Sequence, residues 1–394
     1  MVDLSVHMLG VKFKNPILLA SAEPTFHGEA MKKGIDGGAA GIVAKSFTDS
    51  EFLRKYSNKP ETVLLDQQYR CWQGKIPEMY TLLSRTCFPG QSFEEWMDVL
   101  RDTVKYAEKN GAVVIGNIAS TDIPNWVGIS KAMEKTGVKM LELNFGCPHY
   151  TEGKMLDKPV AQDNEFAARI IQAIKSEVSI PIIVKETPQL ASMIESVRAL
   201  KEAGADGVTL TNRFQGLLID IEKGEPLIHG YGGVGGPWVK PLTLRAIAQV
   251  AKNMDIPISG SNGAASWKDV VEFMMAGSTT VQICTVVMVK GYGIIQEMLE
   301  GIRGFCEQKG YSRIEEVIKK ALPKILPYSQ TVTLRRERAV VNPALCNLCG
   351  KCVEGCFYKG MVMEEKFARS TESCNGCRFC TYLCPVEAIE MKPL

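Results

Sequence analysis

From the N-terminus to about residue 305, short runs of Val, Ile and Leu alternate with longer stretches whose apolar residues recur at helical spacing. The runs are Asn15–Ala22, Ala40–Phe47, Ala112–Ile118, Lys139–Gly146, Pro181–Glu186, Gly207–Asn212, Ile256–Gly263 and Ser278–Val287. Continuous apolar character is the pattern of parallel strands covered on both faces. Between them Ser92–Asn110, Asn164–Glu177, Leu190–Ala203, Leu242–Lys252 and Lys268–Ala276 read as helices. The first carries Glu94, Glu95 and Asp98 early, where the helix dipole favours anions. Eight β–α units predict an α/β fold, a closed (β/α)8 TIM barrel. An open doubly wound sheet is the alternative. The strand count and the lack of a G-x-G-x-x-G after the first strand favour the barrel.

Two stretches break the alternation. Residues 48–91 are too long for a plain βα connection and carry Tyr56, Tyr69, Trp72, Tyr80, Cys87 and Phe88. A long connection at the active-site face is usually functional, so a substrate lid is expected there. The chain then divides into a barrel over 1–305, a basic linker with helical segments over 306–340, and a cysteine-rich module over 341–394. Arg335, Arg336 and Arg338 cluster just before that module, as a solvated or subunit-bridging segment.

The module holds two matched sets, Cys346, Cys349, Cys352, Cys356 and Cys374, Cys377, Cys380, Cys384. Each reads C-x₂-C-x₂-C-x₃-C, with 17 residues between them and Pro385 after the second. This is the two-cluster ferredoxin spacing, in which the fourth cysteine of each run ligates the other run's cluster. One [4Fe–4S] cluster is therefore expected on Cys346, Cys349, Cys352 and Cys384, the other on Cys374, Cys377, Cys380 and Cys356. Phe357 stands where a proline usually follows the first run and removes no ligand. Structural zinc is the competing use of such thiolates.

Composition narrows the setting. The net charge of +2 gives no whole-chain field for nucleic acid or a membrane surface. No apolar run reaches the length of a membrane span. Met1–Gly10 shows no basic region followed by an apolar stretch, so no signal peptide is expected. Of 13 cysteines, those outside the module (Cys71, Cys87, Cys147, Cys284, Cys306) are scattered. A reducing cytoplasm follows as the expected compartment.

The C-terminal strand ends, which face the active site of a barrel, are polar at nearly every position. They offer Ser21, Lys45 with Ser46, Asn117, Asn144, Lys185, Asn212, Ser261 with Asn262, and Cys284 with Thr285. Two lysines and several asparagines converging on one opening suit a polar, anionic cofactor. Asparagine offers both donor and acceptor, as a flavin ring requires. The segments Ser259–Gly263 and Tyr231–Gly236, the latter a flexible Gly-rich loop, are candidate phosphate cradles. In Leu141–His149 the strand ends at Asn144, and Cys147 lies in the loop beyond, beside Pro148 and His149. A thiol with an ordinary pKa of about 8.5 can donate or accept a proton near neutrality.

Taken together, NPILLASAEPT, VAKSF, ELNFGCPH, IVKETP, TLTN, YGGVGG and VQICT resemble the dihydroorotate dehydrogenase superfamily. With the cysteine module appended, the chain is similar to the dihydropyrimidine dehydrogenase branch, as the barrel subunit of bacterial two-subunit enzymes. The resemblance implies FMN held by Ala20, Ser21, Lys45, Ser46, Lys185, Gly236, Asn262, Gly263, Cys284 and Thr285, with Asn117, Gly235 and Ser261 adjoining. It implies Cys147 as the catalytic acid and Asn144, Gly146, Asn212 and Arg213 as substrate contacts. The resemblance further implies that hydride passes from flavin N5 to one carbon of a C=C bond conjugated to a carbonyl, while the cysteine protonates the other. Uracil or thymine is the implied substrate. Arg213 follows Asn212 where pyrimidine reducers usually carry Thr, and Met79 and Thr81 stand where they carry a base-reading Asn and Glu. A dihydroorotate-like acid or another enone is therefore the alternative, and a non-catalytic electron-transfer flavoprotein subunit a further one. The implied partners are a separate FAD/NAD(P)H-binding reductase subunit or a ferredoxin, in a homodimer or heterotetramer.

Overall fold

The computed structural model describes residues 2–56, 60–72, 74, 77–120, 122–146, 150–151, 154–155, 159–331 and 337–393. Contacts divide the chain into two compact units, Met1–Pro323 and Lys324–Leu394.

The first unit is a closed parallel barrel. Its strands are β1 (Ile17–Leu19), β2 (Gly41–Val43), β3 (Val113–Ile118), β4 (Met140–Asn144), β5 (Ile182–Lys185), β6 (Gly207–Leu210), β7 (Ile258–Ser261) and β8 (Thr280–Ile283). Each lies within one of the eight expected runs. Every strand residue is buried, and Val281 pairing with Ile17 closes the ring. The helices that follow the strands in turn are α1 (Gly28–Asp36), α2 (Phe93–Lys109), α3 (Ile123–Glu134), α4 (Asn164–Lys175), α5 (Met193–Glu202), α6 (Lys240–Asn253), α7 (Trp267–Ala276) and α8 (Ile294–Lys309). In α2, Trp96, Leu100, Val104 and Ala107 form the buried stripe, and Ser92 with Glu95 closes a capping box at its start. Side-chain caps by Asp122, Asp163, Ser192 and Ser266 start four more helices. Sequence periodicity did not single out α1, α3 or α8. Short apolar spacing interrupted by Gly28, Gly34 and Gly128 weakens the pattern in the first two.

The expected lid has a defined form. Residues 61–65 and 81–85 make an antiparallel hairpin that joins residues 214–216 and 232–235 in a four-stranded sheet. The Tyr231–Gly236 segment is thus largely a sheet strand, a correction to the flexible loop expected from its glycines. These glycines permit close packing. A Cβ on Gly233 would lie 2.6 Å from Cζ of Arg213, and one on Gly232 would lie 2.6 Å from Cδ1 of Ile228.

The first unit also runs past the expected barrel end at residue 305. Cys306 completes α8, and Ile314, Val317 and Leu322 are buried in the barrel's core. The N–H of Ile314 donates to the carbonyl of Asp3 at 2.9 Å. The segment expected as linker therefore belongs to the barrel up to Pro323, because its apolar residues have a surface to cover. Arg335 and Arg336 lie outside the described residues.

The second unit is built from two antiparallel ribbons, Glu337–Val341 with Ile389–Pro393 and Met361–Met363 with Ala368–Ser370. Short helices at Lys351–Glu354 and Phe379–Leu383 accompany them. Its small core includes Ala339, Val341, Met361, Ala368 and Ile389 together with Cys352 and Cys380.

Candidate active site and cysteine cavities

A cavity open to solvent lies at the C-terminal strand ends under the four-stranded sheet. Of the sequence-expected residues, Ala20, Ser21, Lys185, Asn212, Arg213, Gly236, Ser261, Asn262, Gly263, Cys284 and Thr285 line it. Lys45, Ser46, Asn117, Asn144, Gly146 and Gly235 are not among its lining residues. Several of them support it from behind. Ser21 Oγ and Ser46 Oγ are 3.2 Å apart. Asn144 Nδ2 donates to Ser46 Oγ at 3.1 Å, and Asn212 Nδ2 donates to Asn144 Oδ1 at 3.2 Å. Gly146 lets this band close up, since a Cβ there would meet Asn212 Nδ2 at 2.8 Å. Lys45 Nζ donates to Thr86 Oγ1 at 3.2 Å. Cys147 lies outside the described residues.

The loops after β7 and β8 meet at the cavity, because those strands are hydrogen-bonded neighbours. Asn262 has φ of 82° and Gly263 φ of 109°. A Cβ on Gly263 would lie 2.7 Å from the Lys240 nitrogen, so glycine lets this turn press against the start of α6. Gly236 has φ of 145°, and a Cβ there would lie 2.2 Å from the Tyr80 carbonyl oxygen. Here the ends of two paired strands of the roof sheet touch through bare backbone.

Arg213 is held rather than swinging free. Its Nη1 donates to Ser84 Oγ at 2.5 Å and to the Gly233 carbonyl at 3.2 Å. This anchors the guanidinium in the cavity wall. Cys284 keeps partial exposure, yet burial pushes its thiol up to about 12. It is a neutral wall group, not a thiolate.

Beneath the cavity the barrel interior is polar. Glu142 is fully buried. Its Oε1 accepts from Asn117 Nδ2 at 2.7 Å, and its Oε2 accepts from Thr209 Oγ1 and from Gln282 Nε2, each at 2.6 Å. Lys185 Nζ stands 3.6 Å from Glu142 Oε1 and donates to Gln282 Oε1 at 3.1 Å. Glu142 and Gln282 were not singled out from sequence. The available signal was a carboxylate inside an otherwise apolar buried strand, which requires partners.

This cavity suits FMN on its own chemistry. Lys185 and Arg213 supply positive charge against Glu23. Two buried polar atoms have no partner among the described residues, Thr211 Oγ1 in the cavity wall and Asn117 Oδ1 behind it. Cavity-lining backbone without a side chain at Gly236 and Gly263 allows close approach of a phosphate.

In the second unit the cysteines surround two cavities. Cys346, Cys349, Cys352 and Cys384 line one. Cys356, Cys374, Cys377 and Cys380 line the other. Each cavity takes three cysteines of one run and the fourth of the other. The two runs match in detail. Gly360 N–H donates to Cys356 Sγ at 3.1 Å, and Ala388 N–H donates to Cys384 Sγ at 3.2 Å. Among the described residues no three His, Cys, Asp or Glu side chains converge on a single ion. Burial, with neighbouring thiols adding, pushes Cys380 up to about 11. Crowded thiols of this kind ionise when bound metal supplies positive charge. Among the described residues no helix is long and apolar enough to cross a membrane.

Comparison with known proteins places the chain. The dihydroorotate dehydrogenase family model matches residues 3–305. The catalytic subunit of dihydroorotate dehydrogenase B (NAD(+)) from Pyrococcus abyssi is 32% identical over 320 residues, which is 81% of this chain and 99% of that protein. Its counterpart from Pyrococcus furiosus is 32% identical over 318 residues, 80% of this chain and 98% of that protein. The NAD-dependent dihydropyrimidine dehydrogenase subunit PreA of Escherichia coli K12 is 30% identical over 413 aligned positions, 99% of this chain and 95% of that protein. The chain belongs to the dihydroorotate dehydrogenase family of flavin-dependent oxidoreductases.

Proposed function

We propose that this protein uses FMN and two [4Fe–4S] clusters to reduce or form a C=C bond conjugated to a carbonyl, with a pyrimidine ring as the first substrate. The observation that carries this reading is the presence of both parts in one chain: a strand-end cavity in a flavin-binding family and two cavities each lined by four cysteines. The Escherichia coli dihydropyrimidine dehydrogenase subunit aligns across 99% of the chain, the cysteine module included. The Pyrococcus dihydroorotate dehydrogenase subunit aligns with 81% of it.

Bound in the cavity, FMN supplies hydride exchange with a substrate carbon. Ala20, Ser21, Lys185, Gly236, Ser261, Asn262, Gly263, Cys284 and Thr285 hold it, with Lys45, Ser46, Asn117 and Gly235 as support. Lys185 places a cation against the cavity, and Asn212, braced by Asn144, presents its amide group to a ring carbonyl or ring N–H. Such preset donors stabilise charge that builds on the carbonyl oxygen. Gly146 leaves room for the amides, and Cys147, just beyond, delivers a proton from Sγ to the second carbon. The crossed cysteine sets hold the clusters, which exchange electrons with a separate subunit carrying FAD and NAD(P)H, or with a ferredoxin. The relatives are named as a catalytic subunit and as a subunit, which supports a partner subunit; a homodimer or heterotetramer in the cytoplasm is proposed with it. Structural zinc is disfavoured because each cavity takes three cysteines of one run and the fourth of the other, the ligation of a two-cluster ferredoxin. A purely electron-carrying role has no support in a family of enzymes.

A second reading rests on Arg213. Its guanidinium is fixed in the cavity wall by Ser84 and Gly233, which suits a carboxylated ring such as dihydroorotate. The deciding experiment is anaerobic. The protein is photoreduced and mixed with uracil, thymine or orotate while the flavin and cluster absorbance is followed. Reoxidation by uracil or thymine is expected. Reoxidation by orotate alone would move the assignment to the acid.

A further inference from the structure

The geometry points to Glu142 as the positioning residue of this site: a buried carboxylate that holds the Lys185 ammonium in the cavity floor and supplies its counter-charge. The inference deepens the FMN reading above and rests on it. Glu142 lies on β4 at the level of Asn117 on β3, with which it is in register. It is 0% exposed, and its two oxygens take partners from strands β3, β6 and β8. Lys185, on β5, is two residues closer to the cavity, since it pairs with Asn144 while Glu142 pairs with Ile183. Its Nζ therefore has Glu142 and Gln282 beneath it and the cavity above.

The consequences follow from elementary electrostatics. A charge taken out of water without a partner is expensive, and breaking a buried pair costs more than replacing both members. Glu142 cannot be a mere filler of the barrel interior, because neutral residues fill such layers at lower cost. Three hydrogen-bond donors, from Asn117, Thr209 and Gln282, pin the carboxylate in one orientation. Gln282 gives its N–H to Glu142 and its carbonyl oxygen to Lys185. It thereby fixes the two charged groups relative to each other. The ammonium has three N–H groups. With one directed to Gln282 and one facing Glu142, the third is left for the cavity. Glu142 thus sets where the floor's positive charge sits and how much of it a bound flavin experiences.

The test combines a potential with an unfolding cycle. Glu142→Gln removes the fixed negative charge under the cavity. At about pH 8, where the reduced ring has lost its N1 proton and carries one more negative charge than the oxidised ring, the reduced cofactor should then bind at least about tenfold more tightly relative to the oxidised form, an upward shift of roughly 30 mV in the two-electron midpoint potential. Glu142→Asp, which keeps the charge, should return the potential toward wild type. In thermal unfolding of the cofactor-free protein, Glu142→Gln and Lys185→Gln should each lower the melting temperature. The double variant should recover much of the loss. A Glu142→Gln protein with bound FMN at the wild-type potential, or additive losses in the cycle, would overturn the inference. If Glu142→Gln alone does not fold, a folded double variant supports the pair, and an unfolded double variant opposes it. A wild-type protein that folds but takes up no FMN sinks the flavin reading instead, and the unfolding cycle still decides the role of Glu142.

Discussion

At the scale of single residues, the site depends on which buried groups are charged. Glu142 carries donors on both oxygens and a lysine beside it. Glu186, at the end of β5, is equally buried but poorly supported. Its Oε1 accepts from Ser196 Oγ at 2.7 Å, and its Oε2 has no partner among the described residues. Burial pushes this carboxyl up to about 7 from an ordinary 4.5. The folded protein therefore holds the proton more tightly than the unfolded chain does. The associated stability is fully present below the unfolded value and is lost as pH rises through the folded one. Glu186→Gln removes the titration, so its stability relative to wild type should improve from pH 5 to pH 8 by about 2.5 kcal/mol. Unfolding curves at the two pH values check this. A constant difference would place the titration elsewhere.

At the scale of elements, the cavity roof is the four-stranded sheet formed by two insertions, one after β2 and one after β6. Two of its paired strands close up at Gly236, where a Cβ would lie 2.2 Å from the Tyr80 carbonyl oxygen. Overpacking of this kind costs about 1–3 kcal/mol. Gly236→Ala should lower thermal stability by that order. It should also weaken FMN binding, because Tyr80, Leu82 and Arg213 leave the wall together. Flavin fluorescence during titration of the cofactor-free protein reads the second effect. Wild-type affinity in a Gly236→Ala protein would show that the roof does not shape the flavin site.

At the scale of the whole molecule, two compact units carry two kinds of candidate redox site. The cysteine cavities exchange their fourth members between runs. Iron analysis should return about eight irons per chain. Cys356→Ser should disturb the same electron paramagnetic resonance signal as Cys374→Ser, and Cys384→Ser the same signal as Cys346→Ser. If Cys356→Ser instead pairs with Cys346→Ser, each run holds its own cluster and the crossed arrangement is wrong.

The sequence alone determined the features whose signals are local. Eight apolar runs specify eight barrel strands because parallel strands are buried on both faces. Strand-end polarity was readable because a polar residue closing a buried run lies towards the barrel mouth, and Ser21, Lys185, Asn212 and Asn262 line the cavity while Lys45, Ser46, Asn117 and Asn144 stand behind it. The cysteine runs were readable because ligand spacing is itself sequence. Tertiary structure alone decided what depends on pairing across distant segments. It made a roof sheet from residues 61–85 and 214–235, where isolated glycines had read as a flexible loop. It drew residues 306–323 into the barrel unit, because Ile314 and Val317 find an apolar face only once the barrel has closed. It also turned Glu142 from one polar letter in an apolar run into the centre of a network spanning β3, β5, β6 and β8. A buried charge is tolerated only with its partners in place, and those partners lie on strands that closure of the barrel brings together.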